Sequence, residues 1–546
     1  MPYRGGKEAA GVAPAREGLV ADMVRQFADP HAFVRELVQN GIDAGATALE
    51  IAARFDGERG TFSVTDDGSG MSRDIIEGPL LTLFTSAKDG DDTKIGKYGV
   101  GFVSVFAVEP DHIEVETWRS DGEAWILELF VDHRYELRRG EATRRTSPSG
   151  TRVTVVKTLD AEGFDEMRRE VEHALERWCR HASVPLNWSV ERAGSVHRER
   201  ADRPFEVVAP FSVQSEVEGA RVAVGVASGA SYLHEGDDER PLAGFYNRGL
   251  TLAERRGPFD VVAGVRFKVD SGELSHTLSR DDVRHDDAYH RYTRHVLDVV
   301  NGPLRHGLVD ALAEAAAGDD PVVYVSLLAA AGPAGLGLAP SAVMVPLCHA
   351  TGGSKVMSAR DLGGDTPVLW SRAPSGLTAA LAAEHRPVLR AVHDDVPKLV
   401  SSLLEEPVEP VESTYLLVDV VAGSKVDKRL AKEVRRVLEE VGVRLGSVTV
   451  ARASGTASVR AGYAVDGGGK RHLVHAVAHP RFGRALRRRR LLLTRSHPAV
   501  KAATKLARRN VEAAGHLLAR YLLVEDRGEL GRGLCDDLID TIGEGT

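Results

Sequence analysis

The spacing of apolar and polar residues predicts a chain of mixed helices and strands. Near the start, apolar residues recur at helical spacing and predict an amphipathic helix through Phe33, Val34, Leu37, Val38 and Ile42. Alternating or β-branched stretches predict strands at 48–55, 61–65, 112–117, 124–130 and 152–156. A helix at about 164–181 closes this first region.

A second mixed region follows the polar, charged stretch at 191–203, which predicts a linker. We expect its strands at 221–226, 242–246 and 261–269, before a helix at 287–316 and a Gly/Pro-rich loop at 330–340. Two short strands, at 367–370 and 387–390, then flank a helix at 375–384 and indicate a small α/β unit.

The last region begins after 405–412, where two prolines stand among acidic residues. It contains a strand at 414–420, a basic helix at 428–441 and a helix near 499–522. Single domains usually stop growing at about 250–300 residues, so a chain of 546 residues needs several cores. We predict three domains, at 1–195, 205–405 and 410–546.

Composition narrows the class of protein. Hydrophobic residues make up 43% and charged residues 27% of the chain, and the net charge of -9 argues against a general nucleic-acid or membrane binder. Neither a secretory signal nor an apolar run of membrane-spanning length is visible, so we expect a cytoplasmic protein. The cysteines Cys179, Cys348 and Cys535 lack metal-ligand spacing, which favours small buried side chains over a metal site.

The first chemical motif is a polar stripe on the predicted helix at 33–42. Glu36, Asn40 and Asp43 are spaced by four and three residues, so they share one helical face. A carboxylate, an amide and a second carboxylate arranged in this way could orient a water and hold hydrated magnesium. Taken alone, such a triplet is more often a solvated face.

The second motif follows the predicted strand at 61–65. Asp66 stands at the strand end, and Gly68 and Gly70 allow a tight turn and a close backbone approach. Its carboxylate could accept a hydrogen bond from an exocyclic amine. Such a sequence is also common in ordinary turns.

The third motif is a glycine-rich loop at 96–102, ahead of an apolar run at 103–108. A glycine loop leading into a helix presents backbone N–H groups to phosphates. The loop lacks the ending of a P-loop and the strand and acidic residue of a dinucleotide fingerprint, so neither is favoured. Between it and the second motif, residues 84–94 have the composition of a mobile lid or of an ordinary surface loop.

In this order, the three motifs resemble the nucleotide site of the Bergerat-fold ATPases. That superfamily unites gyrase, the ninety-kilodalton heat-shock chaperones, histidine kinases and the mismatch-repair MutL proteins. The resemblance covers about 20–156 and includes a Gly-Thr element, Gly150 and Thr151, before a strand. It implies ATP and Mg²⁺ as ligands.

The resemblance also implies a role for each matching residue. Glu36 would be the general base, Asn40 the magnesium ligand and Asp66 the acceptor for the adenine amine. The base pocket would be lined by Asp43, Gly70, Met71, Phe102 and Thr151. The phosphates would be contacted by Lys88, Gly96, Gly99, Val100 and Gly101.

The second region favours the chaperone branch of the superfamily. Residues 244–250, 262–270 and 278–282 look like the middle domain of a heat-shock chaperone of the heat shock protein 90 family. The similarity implies that Arg280 reaches the γ-phosphate and offsets developing charge. A surface arginine in a turn is the alternative.

As a whole, the resemblance implies an α+β and α/β multidomain chaperone. It would combine an N-terminal Bergerat-fold ATPase domain, a middle α/β domain of ribosomal-protein-S5-like type with a small α/β unit, and a shortened C-terminal α/β dimerisation domain. A homodimer acting on protein clients follows. The stretch 45–47 is nearer to the mismatch-repair proteins, and Arg284 departs from the chaperone pattern.

Two other functions stay open at the level of sequence. A MutL-like repair clamp would bind DNA in a salt-sensitive way, which the acidic net charge disfavours. An ATP-gated scaffold without hydrolysis would leave Glu36 and Arg280 idle. A histidine kinase is disfavoured because no phospho-acceptor helix precedes the site.

Overall fold

The computed structural model describes residues 30–81, 102, 104–132, 134–141, 147–226, 242–256, 264–277, 282–351, 354–364, 367–476 and 489–527. The chain divides into two compact units. The first contains residues 1–225 and 240–302, and the second contains residues 226–239 and 303–546. Among the described residues, no helix is long and apolar enough to cross a lipid bilayer.

The first unit contains an eight-stranded sheet in the order β5-β4-β3-β6-β2-β1-β7-β8. Its strands are β1 Leu49–Phe55, β2 Arg59–Asp66, β3 His112–Trp118, β4 Ala124–Phe130, β5 Tyr135–Arg139, β6 Gly150–Thr158, β7 Leu186–Arg192 and β8 Ser195–Arg200. Strands β1 and β7 pair in parallel, and β1 pairs antiparallel with β2 on its other side. Alternating or β-branched stretches correctly predicted the five strands β1, β2, β3, β4 and β6.

Two helices supply much of the core against this sheet. Helix α1, Phe33–Asp43, buries Phe33, Val34, Leu37 and Val38 on the side predicted from their spacing. Helix α2, Ala161–Ala174, begins where the Asp160 carboxylate accepts a hydrogen bond from Gly163 N–H, and it continues into a wider turn at Leu175–Cys179. The predicted helix at 164–181 is therefore confirmed in place.

The linker expected at 191–203 is wrong. Strands β7 and β8 form an antiparallel hairpin there, with Arg192 opposite Ser195. Every residue of β8 is exposed, so this edge strand lacks the apolar alternation that identifies most strands. The first sheet continues past residue 195, and the three-domain division stays a prediction.

A five-stranded sheet completes the first unit, in the order β12-β11-β13-β10-β9. Its strands are β9 Ser212–Val217, β10 Ala220–Val226, β11 Leu242–Asn247, β12 Leu250–Arg256 and β13 Val265–Asp270. Helix α3, Asp287–Val299, follows and is capped by the Asp286 carboxylate. The predicted strands at 221–226 and 242–246 are confirmed.

The second unit begins with helices α4 Arg305–Ala317 and α5 Pro321–Ala331. A sheet follows in the order β15-β14-β17-β16-β18. Its strands are β14 Met344–Thr351, β15 Ser354–Ser358, β16 Val368–Ser371, β17 Leu389–Arg390 and β18 Val408–Pro410, with helices α6 Gly376–Ala383 and α7 Val396–Leu404. The small α/β unit is thus confirmed, although the sheet extends into the proposed boundary at 405–412.

The chain ends in a further sheet, in the order β21-β23-β20-β19-β22. Its strands are β19 Tyr415–Val420, β20 Leu445–Ser454, β21 Gly462–Val465, β22 Arg471–His475 and β23 Arg489–Thr494, and its helices are α8 Lys425–Glu440, α9 Pro498–Leu506 and α10 Val511–Arg527. The single helix expected at 499–522 is two helices. The first helix ends before Asn510, and the Asn510 side chain caps α10. Mixed α and β structure in several sheets confirms the coarse fold class.

Candidate functional site

Helix α1 carries the first motif on one side. The Glu36 side chain is 13% exposed, while Asn40 and Asp43 are open to solvent and Leu37 and Val38 are buried. The helix therefore fixes a carboxylate and an amide one turn apart, above an apolar base.

Close packing at Gly41 brings α1 onto the end of β2. A Cβ atom at Gly41 would lie 2.7 Å from Leu49 Cδ2 and 3.1 Å from Asp66 Cβ. The helix could not come this near with a larger residue at that position. The first and second motifs, predicted separately, are thus neighbours.

Asp66 is a half-buried carboxylate held by backbone N–H groups. Its Oδ1 accepts a hydrogen bond of 2.8 Å from Gly68 N–H, and Thr151, its register partner on β6, supplies a second backbone N–H. Burial raises the pKa of this carboxyl above its usual value, and the two N–H groups oppose that shift. An acceptor in a fixed place, largely out of water, suits recognition of an amine.

The adjacent Asp67 has a structural role. Its Oδ1 accepts hydrogen bonds from Thr47 N–H at 2.6 Å and Ala48 N–H at 3.1 Å. Burial acts to raise its pKa, but the bonds from Thr47 and Ala48 outweigh burial and hold the pKa below the usual range. Asp67 thus ties the loop after α1 to the end of β2 and leaves Asp66 for a ligand.

The glycines of the second motif allow close backbone contact. Gly70 has φ +67°, and a Cβ atom there would lie 2.2 Å from the carbonyl oxygen of Trp118. A Cβ atom at Gly150 would lie 2.2 Å from the carbonyl oxygen of Asp66. Any side chain at either position would force these strand ends apart, so both glycines are needed to assemble the site.

Thr117 is a site residue that sequence reasoning missed. It is 1% exposed on β3, and its Oγ1 accepts a hydrogen bond of 2.7 Å from Met71 N–H. The same Oγ1 donates to the carbonyl oxygen of Gly150 at 3.2 Å and lies 3.1 Å from Thr151 Oγ1. Thr117 therefore joins Met71 to the Gly-Thr element. A β-branched residue inside a strand carries no separate signal of this role.

The structure brings together Asp66, Gly70, Met71 and Thr151 around Thr117. Phe102 is partly buried and packs against the core of the same sheet. Asp43 carries an ion pair with Arg248, from the turn between β11 and β12. The other predicted site residues lie outside the described residues: Lys88, Gly96, Gly99, Val100, Gly101 and Arg280.

Comparison with known families agrees with this geometry. Residues 29–156 match the family described as histidine kinase-, DNA gyrase B-, and HSP90-like ATPase. The chain carries an ATPase domain of this family. The matched segment includes the Glu36 helix, Asp66, Thr117 and Thr151.

Individual relatives point to one branch of that family. The chain is 31% identical to the chaperone protein HtpG of Nitrobacter winogradskyi over 214 residues, which is 32% of each protein. It is 26% identical to the HtpG of Nitrosococcus oceani over 325 residues, 51% of this chain and 49% of that relative. The chain is therefore HtpG-like over about a third to a half of these relatives' length.

Proposed function

We propose that this protein is an HtpG-like molecular chaperone that binds Mg-ATP and hydrolyses it to ADP and phosphate. The observation that carries the proposal is the half-buried Asp66 carboxylate, held by the N–H groups of Gly68 and Thr151 within a domain of the ATPase family. The names of the matched relatives favour the chaperone over a repair clamp or an idle scaffold.

Adenine recognition would rest on the Asp66 site. The carboxylate would accept a hydrogen bond from the exocyclic amine, and Gly70 and Gly150 allow the strand ends around it to pack closely. Met71 and Phe102 would add apolar contact. The hydroxyl groups of Thr151 and Thr117, which lie 3.1 Å apart, would be held in place by each other at the edge of the pocket.

Hydrolysis would use the polar stripe on α1. Glu36, in its largely buried setting, would take a proton from the attacking water as general base. The exposed Asn40 fits magnesium, since its amide oxygen is a hard ligand and Mg²⁺ usually keeps several waters. Bound Mg²⁺ would supply charge neutralisation at the phosphates.

The residues outside the described part would act at the phosphates. We propose that Gly96, Gly99, Val100 and Gly101 contact them through backbone N–H groups, and that Lys88 approaches from the lid. Arg280 would reach the γ-phosphate from the second region, as its sequence context suggests. Asp43 would border the base pocket while it is paired with Arg248.

A homodimer through the C-terminal region is part of the proposal. Helix α10 exposes Leu517 by 60%, Tyr521 by 43% and Val524 by 39%, at helical spacings of four and three. An apolar stripe of this kind is suited to packing against a second copy. Residues 410–546 would then form a shortened dimerisation domain, after a middle domain of ribosomal-protein-S5-like type at 205–405 and an ATPase domain at 1–195.

Steady-state ATP hydrolysis tests the proposal. We expect Glu36→Ala to keep ATP affinity while hydrolysis falls by about 10²–10⁴-fold, because a positioned general base contributes that much. Glu58→Ala, in the exposed turn between β1 and β2, is the matched control. Equal hydrolysis in wild type and Glu36→Ala would contradict the assignment. Suppression of client aggregation by ATP-bound wild type tests the chaperone role.

A further inference from the structure

Both ends of helix α1 are contacted by the second sheet of the first unit. At the C-terminal end, Asp43 forms an ion pair with Arg248. Near the N-terminal end, the Arg35 guanidinium contacts the Nε2 atom of His276, a residue 241 positions away along the chain. The helix that carries the proposed general base is thus held by two segments of that sheet's subdomain.

Arg35 is buried beside the proposed general base. Its side chain is 8% exposed, and its Nη1 lies 4.0 Å from Glu36 Oε1. The guanidinium also sits 5.6 Å from the ring centroid of Trp178. A guanidinium this close to a carboxylate competes for the oxygen atoms that would accept a proton from water. The exact placement of Arg35 therefore bears on the reactivity of Glu36.

His276 lies in a well-connected segment between β13 and α3. It forms an isolated antiparallel bridge with Val283, and Arg284 N–H donates a hydrogen bond of 2.8 Å to Ser275 O. Thr277 N–H donates to Asp282 O at 2.9 Å. These bonds hold the backbone at His276 in place, and the ring reaches Arg35 on α1 from there.

The contact with Arg35 defines the protonation state of the His276 ring. A guanidinium has only donors, so His276 Nε2 must accept and the ring must be neutral. The acceptor draws Nη2 of Arg35 toward the second sheet. Nη1 of the same group is then left at 4.0 Å from Glu36, longer than a close ion pair.

We propose that His276 is a positioning residue for ATP hydrolysis, which holds the Arg35 guanidinium back from Glu36. This inference rests on the proposed ATPase function. Without an acceptor at 276, the guanidinium pairs closely with Glu36 and the carboxylate becomes a poorer base. ATP binding, which depends on Asp66 and its neighbours, is left intact.

The test compares kcat and KM for ATP in four proteins: wild type, His276→Leu, His276→Gln and His295→Leu. We expect His276→Leu to lower kcat by about tenfold, a modest part of what a general base supplies, with KM within about twofold. His276→Gln restores an acceptor and should recover most of the rate. His295→Leu is the matched control, since His295 bonds Ser215 in the same subdomain at 2.9 Å.

A second background separates this role from a loss of packing. In Arg35→Met, adding His276→Leu should change kcat no further, because the group that His276 holds has gone. A further tenfold loss in that background, or equal rates in His276→Leu and wild type, would overturn the positioning role alone. Absence of hydrolysis in the wild type would instead overturn the proposed function, and this inference with it.

Discussion

The two units of the chain differ in how many charged residues they bury among the described residues. Among the described residues, the first unit buries Arg35, Glu116 and Lys268, each beside a polar or charged partner. The second unit buries Asp427 and Asp526, and Asp427 completes the capping box of α8 with the N-cap residue Ser424. Its C-terminal core is otherwise built from aliphatic side chains, such as Leu491, Leu493, Leu518 and Leu522.

This difference corresponds to a difference in role: the first unit carries the candidate site, and the second unit serves mainly as a scaffold. Burying a charge costs free energy unless it is paired, so a fold keeps such groups inside mainly where they are used. In the first unit, Arg35 lies beside Glu36, Glu116 pairs with Arg152 on the neighbouring strand, and Lys268 contacts His181. Among the described residues, the second unit buries fewer charged side chains, and its C-terminal core is aliphatic, which suits assembly. Four predictions test this contrast, in decreasing order of expected effect.

The largest effect is expected in the apolar core of the second unit. Leu493 is fully buried on β23, so Leu493→Ala should lower the free energy of unfolding by about 2–5 kcal/mol. Denaturant unfolding measures this loss, and nucleotide titration should show an unchanged ATP affinity. A variant that folds but binds ATP poorly would show that the second unit is more than a scaffold.

The next effect is a pH dependence located in the first unit. Burial lowers the pKa of His181 to about 4, and Lys268, whose Nζ lies 2.7 Å from His181 Nε2, acts in the same direction. The unfolded histidine takes up a proton near pH 6.5 while the folded one stays neutral. Stability is therefore complete above pH 6.5 and falls by about 1.4 kcal/mol per pH unit from there down to about pH 4.

Unfolding curves between pH 7 and pH 4.5 measure this slope. His181→Phe keeps the ring contacts with Phe205 and Tyr246 but removes the titrating group. The change in its stability per pH unit should therefore be smaller by about 1.4 kcal/mol, which is the contribution of one proton. Identical slopes in the two proteins would mean that His181 does not titrate in this window.

The third prediction concerns ATP affinity. Asp66→Asn removes the charge from the proposed amine acceptor, and hydrogen bonds to charged groups contribute about 1.5–3 kcal/mol. We expect ATP to bind about 10–150-fold more weakly. Asp67→Asn is the comparison, because Asp67 bonds Thr47 and Ala48, and its affinity for ATP should change much less. The reverse ranking would exchange the roles of the two residues.

The smallest effect is expected at Arg248. Its ion pair with Asp43 has side chains that are 53% and 46% exposed, and exposed pairs contribute about 0–1 kcal/mol. Arg248→Met should lower the free energy of unfolding by less than about 1 kcal/mol. Unfolding at low and high salt checks this, since any contribution should shrink as salt rises.

Sequence reasoning succeeded where one periodicity determined the structure. Strand β4 was predicted with its correct limits from its run of apolar residues, and α1 with its correct buried face from the helical spacing of its apolar residues. It failed at β8, whose exposed edge needs no apolar face. Predicted site residues Asp66 and Thr151 were found as neighbours because each stands at the end of a strand in one sheet.

The remainder depends on contacts between distant segments. Thr117 was missed because a buried threonine in a strand looks like any β-branched core residue. The contact of Arg35 with His276 joins positions 241 residues apart, and no spacing rule within a helix or strand links them. Only the pairing of whole sheets brings such residues together.

The parallel pairing of β1 with β7 has a consequence for how this domain can be made. The segment matched to the ATPase family ends at residue 156, and β7, Leu186–Arg192, lies after it in the sequence. A fragment of that length would leave one whole edge of β1 unpaired, and exposed edges invite aggregation. We expect soluble expression of the isolated domain only when it extends through the β7–β8 hairpin, to about residue 203.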